Sequence, residues 1–172
     1  MNGVRDPLFA GRKHPEPSRE GLSDLSREVV RSGASLGAAT DGDADRFGIV
    51  DENGSFVAPH DFLALLLDYL AGLGRTGVVA RSVTTGSLLD RVASARGIPV
   101  RVVPVGFKHL GAVMLREEVL LAGEESGGMS VGGHVPEKDG ILACLLAAEM
   151  VCARGEGLAV QLERLWQTHG RL

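Results

Sequence analysis

Asp41, Asp43 and Asp45 occupy alternate positions in Asp41-Gly42-Asp43-Ala44-Asp45-Arg46, with only small residues between them. If the backbone curls into a loop, three such carboxylates converge on one hard cation, and their repulsion makes the cluster costly without it. A solvated acidic turn would use the same residues without convergence. Two other chemistries compete for the segment. Glu52 falls at the twelfth position counted from Asp41, as in a calcium-binding EF-hand, but Arg46 stands at the sixth, where that loop turns on glycine, and Phe47-Gly48-Ile49-Val50 reads as a strand. Asp43-Ala44-Asp45 after an apolar strand also suits the aspartyl nucleophile of a phosphatase, although such a nucleophile usually sits directly at the strand end.

The second cluster is Gly123-Glu124-Glu125-Ser126-Gly127-Gly128. Taken as an extended segment, it points Glu124 and Glu125 to opposite sides and places Glu124 and Ser126 on one face. That carboxylate and hydroxyl could grip neighbouring sugar hydroxyls while the glycines admit a ligand close to the backbone. An ordinary glycine-rich turn is the plain alternative. Lys108 in Gly106-Phe107-Lys108-His109 and Lys138 in Glu137-Lys138-Asp139-Gly140 could each neutralise a phosphate or, with a lowered pKa, move a proton; surface exposure is the default for both. His109 and His134 read as local hydrogen-bonding residues, and Trp166 as a core residue of the last helix.

The elements that must position these residues follow from periodicity. Residues 3–17 hold Pro7, Pro15 and Pro17 and read as an extended lead-in. Ser18 is expected to cap a helix carrying Leu22, Leu25, Val29 and Val30 that Gly33 terminates. Residues 36–40 and 47–50 are short strands flanking the acidic segment, and a turn at 52–54 closes the unit. From Pro59 a helix places Phe62, Leu63, Leu66, Leu67 and Leu70 on one face. A strand (77–81), a helix (87–96), a strand (98–103), a helix (108–118) and a strand (119–122) follow. A glycine-rich loop (123–133), with room for a strand inside it, leads to helices at 138–152 and 158–169. The alternation is that of an α/β layer beginning near residue 55, and residues 1–54 are thin for an independent core.

With 44% hydrophobic and 23% charged residues, the 172-residue chain can bury a core, which argues against disorder. Eighteen basic residues against 22 acidic ones, with no long block of one sign, argue against nucleic-acid binding. Cys144 and Cys152 are too few for a disulfide scaffold and lack a metal-type spacing, which points to a reducing, cytoplasmic setting. No apolar run suggests a membrane span or an export signal. The 24 glycines call for tight turns or backbone-lined sites.

In this order the motifs resemble the α-D-phosphohexomutase superfamily, which includes phosphoglucomutases and phosphomannomutases. The resemblance runs through Asp6-Pro7-Leu8-Phe9 with Pro15-Glu16-Pro17, residues 41–46, 105–110 and 123–128, and Glu137-Lys138-Asp139-Gly140-Ile141. It implies that residues 1–54 are the C-terminal part of domain 2 with the metal loop. Residues 55–172 would be domain 3 with the sugar-binding loop, a three-layer mixed sheet with helices on both faces. It further implies Mg²⁺ on Asp41, Asp43 and Asp45, and Arg46 beside the transferring phosphoryl group. Glu124 and Ser126 would lie on sugar hydroxyls, with Gly106 and Lys138 lining the same pocket. Lys138 is the first choice for proton transfer and Lys108 the second, or a phosphate contact. Pro136 stands where some relatives carry arginine.

The implied reaction interconverts hexose 1-phosphate and hexose 6-phosphate through a phosphoserine and a hexose bisphosphate, with glucose favoured and mannose possible. The family's Ser-His-Asn type nucleophile loop and Arg-Ser-Gly-Thr type phosphate clamp are absent from these 172 residues. The expectation is therefore an internal piece, inactive alone, that needs the missing mutase domains or a complementary chain. The rival expectation is a non-catalytic divalent-cation or sugar-phosphate-binding module acting with a partner chain.

Overall fold

The structure, a computed structural model, describes residues 6–9 and 15–171. Its first sheet is small and antiparallel: β1 (Gly37–Thr40), β2 (Phe47–Val50) and β3 (Phe56–Val57) in the order β1-β2-β3. β2 is buried on both faces because alternate residues point to different partners. Val50 joins Leu22 and Val29 of the segment that forms α1 (Ser23–Ser32), whereas Phe47 and Ile49 enter the main core. Gly33 ends α1 in the left-handed conformation, φ 67°, as its sequence position predicts. The expected Ser18 cap does not form. Ser18 Oγ accepts the Gly21 N–H in a turn ahead of the helix, and Leu22 stands at the N-cap without a side-chain bond.

The second sheet has the order β5-β4-β6-β7. β4 (Val78–Ser82), β5 (Val100–Val103) and β6 (Val119–Gly123) are parallel, and β7 (Met129–Val131) returns antiparallel to β6. α4 (Phe107–Met114) covers one face against Ala80, Val119 and Ala122. On the other face α2 (Pro59–Gly72), α3 (Ser87–Ala95), α5 (Gly140–Arg154) and α6 (Leu158–His169) surround Val79, Leu121, Met129 and Val131. This is the three-layer mixed α/β arrangement the sequence suggests. α2 is buried at Phe62 through Leu67 and again at Tyr69 and Leu70, well beyond one stripe, because it is enclosed by the sheet and neighbouring helices.

Helix α4 stops at Met114 rather than at 118. Arg116 and Glu117 both bond back to the Val113 carbonyl in a turn, and Glu118 offers its carbonyl to the Val78 N–H so that Val119 can enter the sheet. Trp166 is half-buried at the edge of the core instead of within it. Its indole N–H donates to Asp61 Oδ1 at 3.1 Å, and Arg171 stacks over the ring. None of the described helices is long and apolar enough to cross a membrane.

Candidate functional site

The acidic segment is the tight connection between β1 and β2. Asp41 Oδ1 accepts the Arg46 N–H at 3.0 Å, and the Ala44 N–H reaches the Asp41 carbonyl at 3.3 Å. This curl places Ala44 at φ 62°, a left-handed conformation uncommon for a residue with a Cβ. It brings one carboxylate oxygen each from Asp41, Asp43 and Asp45 within 4.8 Å of one another. Burial, joined by the charges of Asp45 and Asp43, pushes the Asp41 carboxyl above its usual range, against the opposing bond from the Arg46 N–H. Asp45 Oδ1 is buried with no hydrogen-bond partner among the described residues, and Arg46 Nε stands 3.9 Å away. Crowded carboxylate oxygens with one left unsatisfied fit a hard divalent cation such as Mg²⁺. The EF-hand alternative fails on geometry. Glu52 is directed away from the loop, its Oε2 accepting the Ala159 N–H in the first turn of α6.

The second cluster lies at the carboxyl ends of the parallel strands, the edge where open α/β sheets hold ligands. Residues 124–128 form a turn between β6 and β7, closed by Glu124 N–H to the Gly128 carbonyl (2.9 Å) and Gly127 N–H to the Glu124 carbonyl (3.2 Å). The expected extended segment, with Glu124 and Ser126 on one face of it, is therefore replaced by a turn. Glu124 is buried and its Oε1 accepts the Gly106 N–H at 2.7 Å, across from the loop after β5. Glu125 turns the other way, toward Ser82 Oγ at 2.8 Å. Ser126 is exposed on the turn.

Lys138 joins the two clusters. Its Nζ lies 2.6 Å from Asp45 Oδ2, while its stem lies beside Gly128, where an added Cβ would come within 3.0 Å of Lys138 Cδ. Neighbouring backbone bonds hold the same seam: Phe47 N–H to the Gly127 carbonyl, Asp139 N–H to the Met129 carbonyl and Gly140 N–H to the Ala44 carbonyl, at 2.9–3.0 Å. Asp139 caps α5 by accepting the Leu142 N–H and also meets His134 Nε2 at 2.9 Å. Those two contacts, the Leu142 bond first, hold its carboxyl below the usual range. The lead-in contributes as well. An open cleft of about 400 Å³ beside the acidic loop is lined by Phe9, Pro15, Glu16, Asp41, Gly42, Asp43 and Arg46, with Glu16 bonded to Arg46 at 3.0 Å.

The fold thus gathers Asp41, Asp43, Asp45, Arg46 and Lys138, and separately ties Gly106 to Glu124. Lys108 stands exposed on the first turn of α4, with no hydrogen bond or ion pair to the described residues. Glu16 and the Ser82–Glu125 contact carry no role in the sequence-based site. The hydroxyl run Ser82, Thr84, Thr85 at a strand end is the available signal for the latter.

Residues 58–169 match the family described as phosphoglucomutase/phosphomannomutase, alpha/beta/alpha domain III, and residues 1–54 match its domain II. The chain belongs to the phosphoglucomutase/phosphomannomutase family. It is 37% identical over 96% of its length to phosphoglucomutase 1 of Drosophila melanogaster, covering 30% of that protein, and 36% identical over 99% to a phosphoglucomutase of Rhizobium radiobacter, covering 32%. Among solved structures, a Thermus thermophilus protein named as a phosphomannomutase superposes with a TM-score of 0.90 at 37% identity, over 96% of this chain and 38% of that one. The open form of Paramecium parafusin, a phosphoglucomutase, gives 0.83 at 32% identity, over 95% and 31%. The chain spans about a third of the length of these relatives.

Proposed function

We propose that this chain is the metal- and sugar-recognition part of a hexose-phosphate mutase. It would interconvert hexose 1-phosphate and hexose 6-phosphate, with glucose favoured, through a phosphoserine and a bisphosphate intermediate. In this reading residues 1–54 are the end of domain 2 and residues 55–172 are domain 3. The observation that carries it is Lys138, whose ammonium pairs with the acidic loop and whose stem lies beside Gly128 of the Glu124–Gly128 turn.

Asp41, Asp43 and Asp45 would hold Mg²⁺, which when bound offsets charge developing on the transferring phosphoryl group. Arg46 lies beside that group and adds a fixed positive charge. Glu124 and Ser126 bind sugar hydroxyls, and the Gly106 N–H fixes the Glu124 carboxylate that does so. A grip on hydroxyls rather than on phosphate lets the bisphosphate bind in either orientation, so each phosphate in turn reaches the reacting position. Lys138 moves the proton of the attacking hydroxyl, and Lys108 contacts phosphate. The phosphoryl-carrying serine and the phosphate clamp come from further mutase domains or a complementary chain. Two free cysteines fit a reducing cytoplasm.

The test is a coupled glucose 1-phosphate assay with glucose 1,6-bisphosphate and Mg²⁺. The purified chain should give no turnover above blank, and adding polypeptide that carries the serine loop and the phosphate clamp should restore it. Turnover by the chain alone, or stoichiometric sugar-phosphate binding that never becomes turnover in the reconstituted mixture, would overturn the assignment.

A further inference from the structure

Ser82 closes β4, the strand between β5 and β6, and is fully buried. Its Oγ lies 2.8 Å from Glu125 Oε2, 2.9 Å from Thr85 Oγ1 and 3.1 Å from Thr84 Oγ1. A serine hydroxyl has one proton to donate and lone pairs to accept with. Donated to the Glu125 carboxylate, that proton leaves the Ser82 oxygen free to accept from a threonine, so the hydroxyl chain is directed toward the glutamate. Burial pushes Glu125 up, but bonds from Thr84, Ser82 and its own backbone outweigh this and hold its carboxyl below the usual range. The charge that keeps the network directed is therefore present at neutral pH.

Resting on the mutase reading above, we propose that Ser82 is a positioning residue for sugar recognition. Through Glu125 it anchors the 124–127 turn to β4, so that Glu124 and Ser126 are presented to sugar hydroxyls at a fixed place. The two adjacent carboxylates divide this task. Glu124 reaches across to the loop after β5 at Gly106, and Glu125 reaches to the end of β4. Three neighbouring strand ends are thereby joined through one turn, and neither glutamate is free to swing into the place of the other. Preorganisation of this kind improves ligand binding without adding a contact to the ligand.

Two readouts on the intact chain separate this role from the mutase assignment. One is amide hydrogen exchange at Gly106, whose N–H bond to Glu124 reports on the turn; the other is glucose 1-phosphate titration followed by backbone NMR shifts. Ser82→Ala should speed Gly106 exchange and weaken glucose 1-phosphate binding by about tenfold each, the scale of one lost hydrogen bond to a charged group. The Val79 and Leu121 amides should be unchanged. Glu125→Gln should reproduce both effects if the alanine variant does not fold, and Ser82→Thr should restore them. Unchanged Gly106 exchange in both Ser82→Ala and Glu125→Gln overturns the anchor. Faster exchange with unchanged sugar-phosphate affinity overturns the positioning role. Absence of glucose 1-phosphate binding by the unaltered chain, even after polypeptide carrying the phosphate clamp is added, overturns the sugar claim, while Gly106 exchange still decides whether the anchor exists.

Discussion

In the 41–46 loop three carboxylates crowd together, one of their oxygens has no hydrogen-bond partner among the described residues, and Asp41 is pushed toward its protonated form. In the 124–128 turn two adjacent carboxylates are sent in opposite directions, and each finds donors: Gly106 for Glu124, Ser82 and Thr84 for Glu125. Both segments are short connections at strand ends, and Lys138 pairs with the loop while its stem lies beside the turn at Gly128. The loop, though Lys138 and Arg46 pair with it, keeps one carboxylate oxygen that an added cation could take; both carboxylates of the turn already have donors from the protein. Charge alone therefore does not define a ligand site. The balance between charge and the donors the fold supplies determines whether a ligand is needed to complete it.

Prising the two regions apart tests this contrast most severely. A Cβ at Gly140 would press on the Arg46 carbonyl oxygen and lie 2.9 Å from that of Ala44, both backbone atoms of the acidic loop. Gly140→Ala should cost about 2–3 kcal/mol in urea denaturation, the upper range for overpacking; a loss under about 0.5 kcal/mol would mean that the seam yields easily. Next in size is the response to metal. Mg²⁺ at about ten times its Kd should stabilise the chain by about 1.4 kcal/mol. Asp43→Ala should abolish that gain in a thermal melt while leaving the metal-free melt nearly unchanged. A gain that survives the substitution would show that the acidic loop is not where Mg²⁺ binds.

The satisfied turn should behave in the opposite way. Glu124→Ala leaves the Gly106 N–H without its acceptor, and should cost about 1 kcal/mol with no Mg²⁺ present. A neutral result would place that bond outside the stabilising set.

The smallest effects are in pH dependence, where the two regions should differ in sign. Asp41 has a folded pKa above 3.8, so the native state holds its proton more tightly than the unfolded chain does. Its contribution to stability falls as pH rises through that window. In chelator, Asp41→Asn should therefore be more stable than the parent near neutral pH, and the advantage should vanish below about pH 3.8. Glu125 has a folded pKa below 4.5, so its contribution is present above that value and is lost as pH falls through the folded pKa. Glu125→Gln should cost stability at neutral pH and little in acid. Parallel pH profiles for the two variants would contradict the electrostatic contrast.

Much of the framework is legible from local pattern. β2 spans the predicted 47–50 and α6 the predicted 158–169, because apolar periodicity and flanking glycines are short-range signals. β3 carries no such signal, since Phe56–Val57 is two residues long and is a strand only because β2 lies beside it. The end of α4 departs from the predicted one because residues 115–118 are compatible with helix locally, and the demand of β6 for its partner overrides them. Asp41, Asp43 and Asp45 stand out by spacing. The meeting of Asp45 with Lys138, 93 residues further along, does not.

The order of elements, the acidic spacing, the glutamate pair and the family resemblance can all be read from the chain alone, because each depends on residues near one another in it. Folding in three dimensions was needed to settle which glutamate faces Gly106 and which faces Ser82, that Glu52 caps α6 instead of completing a metal loop, and that one Asp45 oxygen receives no hydrogen bond from the described residues. Each of these depends on which donors other strands and helices bring within about 3 Å, a hydrogen-bonding distance that local chain pattern does not encode.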